Sequence, residues 1–296
     1  MINKHTILDE IGNTPLVESQ VLNPNPNVRL FFKLEGNNPG GSVKDRPAYN
    51  MIKSALDRGD IIKGDHLVEA TSGNTGIALA FIANTLGLKM SLIMPENSTE
   101  ERVKTMRAYG AEVILTSSDR GIEGSRDLAF KMRDKEGYIL LNQFENDDNW
   151  KAHYKTTGPE IWRDTNHEVT HFVSAMGTTG TIMGVSTYLK EQNKNIQIVG
   201  AQPADGASIP GIRKWSPEYV PKIFDRSKVD KVIEVTEKEA KQMTVRLAKE
   251  EGIFAGMSSG GSVTSALKLI ENLDQGVIVA IICDRGDRYL SSSLFD

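Results

Sequence analysis

The sequence predicts an α/β protein, two domains or one large one, with mostly parallel sheet flanked by helices. Three observations lead there. Short apolar runs alternate with segments of helical periodicity along the 296 residues. The runs are apolar enough to need helices on both faces, which is the setting of parallel strands. Glycine-rich loops fall where strands end and helices begin, the place where such folds bind ligands.

The elements follow in order. Asn23-Pro24-Asn25-Pro26-Asn27 is a loop by composition, and the apolar run Val28–Leu34 after it is a strand. A helix covers Val43–Arg58, with Ser42 placed to cap it. Strands at His66–Ala70, Lys89–Met94, Glu112–Thr116 and Tyr138–Asn142 then alternate with helices at Asn74–Leu86, Glu100–Tyr109 and Ile122–Lys135. A helix at Trp150–Asp164 leads to a strand at His171–Ala175, a helix at Thr181–Glu191 and a strand at Ile196–Gln202. Helices at Glu237–Glu251 and Gly260–Glu271 precede the last strand, Val277–Cys283.

Composition narrows the function. Hydrophobic residues make up 39% and charged residues 25%, as in a soluble globular protein. The net charge of −4, without any Lys/Arg block, argues against nucleic acid. Val277–Cys283, the longest apolar run, is too short for a membrane span. Met1–Leu16 has no apolar core and contains Asp9 and Glu10, so it does not read as a signal peptide. The single cysteine, Cys283, excludes an intramolecular disulfide framework and a multi-cysteine zinc site, and points to the cytoplasm.

Three loops have the chemistry to hold a ligand. In Asn37-Asn38-Pro39-Gly40-Gly41-Ser42-Val43-Lys44-Asp45-Arg46, Lys44 falls in the first helical turn, where the helix dipole opposes its charge. That placement favours a neutral, nucleophilic amine; a solvated lysine balanced by Asp45 is the plainer alternative. Glu69-Ala70-Thr71-Ser72-Gly73-Asn74-Thr75-Gly76 opens an apolar helix with hydroxyls and free N–H groups, which suits a carboxylate or phosphate or is simply a well-capped start. Met176-Gly177-Thr178-Thr179-Gly180-Thr181 offers many donors and no charge, as a phosphate cradle does. It lacks the Gly-Lys-Ser/Thr ending of a Walker A loop and the glycine spacing of a dinucleotide fingerprint.

Two further features are weighed. His167-Glu168-Val169-Thr170-His171 matches a zinc-protease pattern, but that site needs a helix, and Thr170-His171-Phe172-Val173 reads as a strand start. No metal site is expected. Cys283 closes the last strand and either fills core or faces a ligand from the strand end.

Taken together, Asn38-Pro39-Gly40-Gly41-Ser42-Val43-Lys44-Asp45-Arg46, Thr71-Ser72-Gly73-Asn74-Thr75-Gly76 and Gly177-Thr178-Thr179-Gly180-Thr181 resemble the O-acetylserine sulfhydrylase (cysteine synthase) family. The resemblance runs from Ile11-Gly12-Asn13-Thr14-Pro15-Leu16 to Gly286-Asp287-Arg288-Tyr289-Leu290-Ser291. Finer features resemble the family's B isozyme: the Met176–Thr181 loop, Ile209-Pro210-Gly211-Ile212-Arg213-Lys214-Trp215, and Cys283-Asp284-Arg285-Gly286-Asp287-Arg288. The A isozyme's Gly-Thr-Gly-Gly-Thr and Pro-Ser-Ser-Gly-Glu-Arg stretches are replaced, which argues against capture of a serine acetyltransferase tail.

The resemblance implies the tryptophan-synthase-β fold (fold type II), with pyridoxal 5′-phosphate as cofactor. It implies a smaller mobile domain at 35–146, a larger one at 13–34 plus 147–296, and a site in the cleft between them. Lys44 would bond to the cofactor aldehyde and later move the Cα proton. Asn74 would lie beside the 3′-oxygen, Gly177, Thr178, Thr179, Gly180 and Thr181 would hold the phosphate, and Thr71, Ser72, Thr75 and Gln143 would hold the substrate carboxylate. The pyridine-nitrogen partner would come from the Cys283–Asp284 pair. Cys283 is favoured because β-elimination has a leaving group to accept the electrons and needs no deep electron sink. The implied reaction joins O-acetylserine and sulfide, with thiosulfate as a second donor. Arg213 and Lys214 are candidates to attract that dianion. A homodimer is implied by the family alone. Cystathionine β-synthase-like activity and serine dehydration are the nearest alternatives; a cofactor-binding regulatory protein without turnover is a more distant one.

Overall fold

The computed structural model describes residues 5–295. Six strands, β1 (Leu16–Glu18), β2 (Val28–Leu34), β7 (His171–Ala175), β8 (Gln197–Pro203), β9 (Lys231–Val235) and β10 (Gly276–Ile282), form one sheet in the order β1-β2-β10-β7-β8-β9. Four more, β3 (His66–Ala70), β4 (Lys89–Pro95), β5 (Glu112–Thr116) and β6 (Ile139–Leu140), form a second sheet in the order β5-β4-β3-β6. Every pairing is parallel except β1 with β2.

Helices cover both faces of the large sheet, and β10 shows why its sequence is apolar throughout. Successive side chains point to opposite faces. Ile278, Ala280 and Ile282 enter one core, against α8 (Glu237–Glu250) and α9 (Met257–Ile270). Val279 and Ile281 enter the other, against α6 (Thr157–Asp164) and α7 (Gly180–Gln192). Each such aliphatic side chain contributes about 1.5–3 kcal/mol by burial. The small sheet is flanked by α1 (Asp45–Arg58), α2 (Asn74–Thr85) and α3 (Glu100–Ala108) on one side and α4 (Gly121–Glu136) on the other.

Several expected boundaries shift for local reasons. The helix expected at Trp150–Asp164 is two helices, α5 (Asp147–Lys155) and α6, broken at Thr156 with φ −127° and ψ −70°. Pro159 has no N–H to give the carbonyl of Lys155, so one helix cannot run through. The strand expected at Tyr138–Asn142 shrinks to Ile139–Leu140, and Asn142 turns into the left-handed region with φ +54°. β1 and β9 were not anticipated. β1 has three residues, and β9 buries only Ile233 and Val235 on an edge.

A buried charge cluster seats the start of α1 on the large sheet. Arg46 donates to both carboxylate oxygens of Glu35 at 2.7 and 2.8 Å and to both of Glu160 at 2.7 and 2.8 Å. Lys33 Nζ stands 2.8 Å from Glu160 and donates to the Thr14 carbonyl at 2.7 Å. Arg46 and Lys33 hold the Glu160 carboxyl down to about 2 despite its burial. Asp164 adds a third carboxylate, 3.4 Å from Lys33 Nζ; because each buried charge must first be desolvated, the cluster specifies position more than it adds stability. Among the described residues, no helix is long and apolar enough to cross a membrane.

Candidate active site

A cavity of about 520 Å³ opens beyond the carboxyl ends of strands from both sheets. Its walls come from segments that follow β3, β6, β7 and β10, and parallel sheets bind ligands at such strand ends.

Lys44 is the N-cap of α1, with its N–H held by Ser42 Oγ at 3.2 Å. Its side chain lines the cavity. Burial pushes its amine below the ordinary value, against the opposing pull of Cys283, Asp284 and Glu35. The next residue, Asp45, is also buried and raised to about 7; its Oδ2 accepts from the Gly40 N–H at 2.5 Å.

The loop after β3 brings Thr71, Ser72, Asn74 and Thr75 to the same cavity. Thr75 Oγ1 donates to Gln143 Oε1 at 2.9 Å, tying this loop to the segment after β6. Gln143 lines the cavity as well, which leaves its Nε2 to donate. Asn74 donates through Nδ2 to Asp284 Oδ2 at 2.7 Å and accepts from Arg288 through Oδ1. Below the loop, Glu69 is raised to about 8 by burial and accepts from the Asn142 N–H at 3.1 Å.

The loop after β7 has the form of an anion mould. Thr178, Thr179, Gly180 and Thr181 are buried, and Thr179 is left-handed with φ +70°. Gly177, Thr178 and Thr181 face the cavity. Thr179 turns its hydroxyl onto the Thr178 carbonyl at 2.6 Å, and Gly180 packs on Asn149, so these two offer backbone only. A Cβ on Gly177 would stand 2.8 Å from the Gly211 carbonyl oxygen.

At the end of β10, Cys283 lines the cavity and Asp284 turns away. Asp284 Oδ2 accepts from Asn74 and, at 2.7 Å, from the Tyr289 hydroxyl. Burial pushes the Cys283 thiol up to about 11, with Ser258 hydrogen-bonded to it. Arg213 is exposed at the mouth and has no ion pair among the described residues. Lys214 also lines the cavity, but its ammonium is paired with Asp205 at 2.6 Å and Glu234 at 2.7 Å. His167 and His171 share no helix, since His167 has φ +67° and His171 begins β7.

Sequence reasoning missed several cavity residues. Ser258 opens α9, and the run Gly256-Met257-Ser258-Ser259-Gly260 carried the same glycine-and-hydroxyl signal as the other loops. Phe144 and Trp215 meet edge to face at 5.5 Å across the mouth, and the Arg126 guanidinium lies 5.2 Å from the Phe144 ring centroid. No local pattern marks those contacts.

A half-buried amine, an uncharged donor-rich loop and a hydroxyl-lined helix start around one cavity suit a lysine-based α/β enzyme site. Its donors fit pyridoxal phosphate: hydroxyls and helix-start N–H groups for the phosphate, on a loop whose Gly177 and Gly180 pack too closely on Gly211 and Asn149 to carry a Cβ, and an amine for the aldehyde. Residues 7–284 match the model of the pyridoxal-phosphate-dependent enzyme family. Cysteine synthase B of Pseudomonas aeruginosa is 60% identical over 291 residues, covering 98% of this chain and 97% of that one. Cysteine synthase B of Escherichia coli is 55% identical over 290 residues, covering 98% and 96%. Among solved structures, the cysteine synthase of Entamoeba histolytica superposes with a TM-score of 0.93 at 37% identity, covering 99% of this chain and 90% of its own. The chain belongs to the family of pyridoxal-phosphate-dependent enzymes, and its two parallel sheets are those of fold type II.

Proposed function

We propose that this protein makes L-cysteine from O-acetylserine and sulfide by β-replacement. The observation that carries the reading is the Lys44 amine, half-buried on the cavity wall and lowered in pKa by desolvation, sharing one cavity with the Thr71–Thr75 loop and with Gly177, Thr178 and Thr181. The identity to two enzymes named cysteine synthase B supports it.

When bound, pyridoxal phosphate supplies an aldehyde and an electron sink for charge developing at the substrate Cα. Lys44 is its anchor and, once freed, the base that takes and returns the Cα proton; its lowered pKa suits both tasks. Thr71, Ser72, Thr75 and Gln143 would orient the substrate carboxylate, and Asn74 and Gly177 to Thr181 would hold the cofactor, the latter at its phosphate. Cys283 would hold the cofactor's pyridine nitrogen, a role supported by its place on the cavity wall and by the engagement of Asp284 with Asn74. Residues 35–146 close as a smaller domain on the remainder and exclude water. We also assign the protein to the cytoplasm, on its single cysteine, make it a homodimer, on the family resemblance, and give it thiosulfate as a second sulfur donor through Arg213.

In the purified holoenzyme, O-acetylserine should shift the cofactor's visible band and sulfide should restore it. Borohydride should trap the cofactor on Lys44, and Lys44→Ala should abolish both responses. A band indifferent to O-acetylserine but responsive to serine with homocysteine overturns the proposed substrate. Arg213→Ala should lower kcat/KM for thiosulfate more than for sulfide; equal loss removes Arg213 from the scheme.

A further inference from the structure

Asn149 lies on α5, is 2% exposed, and reaches two of the site's loops at once. Its Nδ2 donates to the Gln143 carbonyl at 2.7 Å and to Thr178 Oγ1 at 3.3 Å. Its Oδ1 is buried without a hydrogen-bond partner and lies against Gly180, where any Cβ would overlap it. The opposite orientation of the amide would set two carbonyl oxygens against each other, so the contacts fix which way it faces. An orphaned buried oxygen is destabilising, and keeping one here points to a role for the nitrogen end.

That role follows from counting donors. A threonine hydroxyl has one proton to give and two acceptor positions. Thr178 Oγ1 accepts from Asn149 Nδ2 and, at 3.4 Å, from the Gly180 N–H. Its proton is left to point into the cavity, where an anion would accept it. Gln143 is set likewise: Oε1 accepts from Thr75 at 2.9 Å, its carbonyl is held by Asn149, and Nε2 remains to donate. We propose that Asn149 is a positioning residue that fixes the donor sense of Thr178 and the place of Gln143, so that one buried amide presets both the phosphate and the carboxylate subsites. The inference rests on reading those two loops as anion subsites.

The test compares Asn149→Asp with Asn149→Ala, each prepared as holoenzyme. Aspartate keeps the shape of asparagine but, ionised, only accepts; it would draw the Thr178 proton away from the cavity and leave the Gln143 carbonyl without a donor. The dissociation constant for pyridoxal phosphate should therefore rise about tenfold more in N149D than in N149A. KM for O-acetylserine should rise with it, while kcat changes less. If the amide merely fills space, the buried carboxylate of N149D lowers stability in urea unfolding but weakens the cofactor no more than N149A does, and that result overturns the proposal. Should N149D fail to fold, Asn149→Ser replaces it: serine restores one donor and should retain cofactor better than N149A, and equal retention overturns the proposal. A wild-type chain that takes up no pyridoxal phosphate would instead take down the reading of the site itself.

Discussion

Two helix-start loops face the cavity with the same kinds of residue and opposite tolerances. At the start of α7, Gly177 and Gly180 have no room for a side chain: one meets the Gly211 carbonyl and the other the Asn149 amide. Thr178 to Thr181 are buried around them. At the start of α2, Gly73 has open space where a Cβ would go and an ordinary φ of −121°, and Ser72 to Asn74 are half-buried. The first loop is a mould whose shape is set by its neighbours. The second leaves room at Gly73, although Asn74 and Thr75 beside it are hydrogen-bonded to Asp284 and Gln143. Glycine content does not separate them; what the missing Cβ would touch does.

The sharpest way to test that contrast is Gly180→Ala. The new methyl must displace Asn149, whose Cγ would be only 2.7 Å away. Overpacking of this kind costs about 1–3 kcal/mol. The cofactor dissociation constant should rise by about one to two orders of magnitude, as read by equilibrium dialysis of the visible chromophore. Unchanged cofactor binding in this variant would mean that the mould is soft and the contrast illusory.

The two loops also differ in what they rest on. Behind the mould, His153 is fully buried and held neutral, its pKa pushed well below the ordinary value, with Nε2 3.3 Å from Thr181 Oγ1. Beneath the other loop sits Glu69, raised from 4.5 to about 8 by burial. Between those two values the folded chain keeps a proton that the unfolded chain has released. Stability therefore falls as pH rises through that window, by about 1.4 kcal/mol per unit from this group. Below pH 4.5 both states hold the proton, and above pH 8 both have lost it, so the effect levels off. Glu69→Gln keeps an acceptor for the Asn142 N–H and removes the titration. It should match the wild type near pH 5 and exceed it by about 2 kcal/mol or more at pH 8, measured by urea unfolding. Parallel curves for the two proteins would show that Glu69 is ionised when folded.

Much of this was legible before the coordinates, and the reason differs by element. β2, β3, β5 and β7 fall on the residues the pattern predicts; for β2, β3 and β7, which have neighbours on both sides, the reason is that a covered strand is built mostly of apolar side chains, while edge strand β5 is marked by its short Val113-Ile114-Leu115 run. The three glycine-rich loops were visible because strand-to-helix junctions concentrate hydroxyls and glycines in a few adjacent residues. β9 was not, since an edge strand with Lys231 and Glu234 exposed carries only a faint alternation. Asn149, Phe144 and the Arg46–Glu35–Glu160–Lys33 cluster were not legible either. Arg46 and Glu160 are 114 residues apart and Asn149 and Thr178 are 29 apart, so nothing local to either partner announces the contact. Ser258 is the residue that was within reach: its helix was started at Gly260 instead of Met257, which hid the hydroxyl facing the cavity.

The gentlest perturbation completes the comparison. Gly73→Ala places a methyl in open space, at an extended backbone conformation that alanine adopts without strain. Alanine is a poorer N-cap than glycine, which acts against the fold. It also restricts the unfolded chain, which acts for the fold by about 0.4–1 kcal/mol. The two nearly cancel, so stability should stay within about 0.5 kcal/mol of wild type. Cofactor affinity should not move, because nothing in the mould touches Gly73. What remains is the freedom of the loop to close: KM for O-acetylserine should rise by no more than about threefold, since only a few tenths of a kcal/mol of backbone freedom are at stake. A loss of cofactor from this variant comparable to that of Gly180→Ala would show that the two loops move as one body, and that the separation drawn from their glycines is wrong.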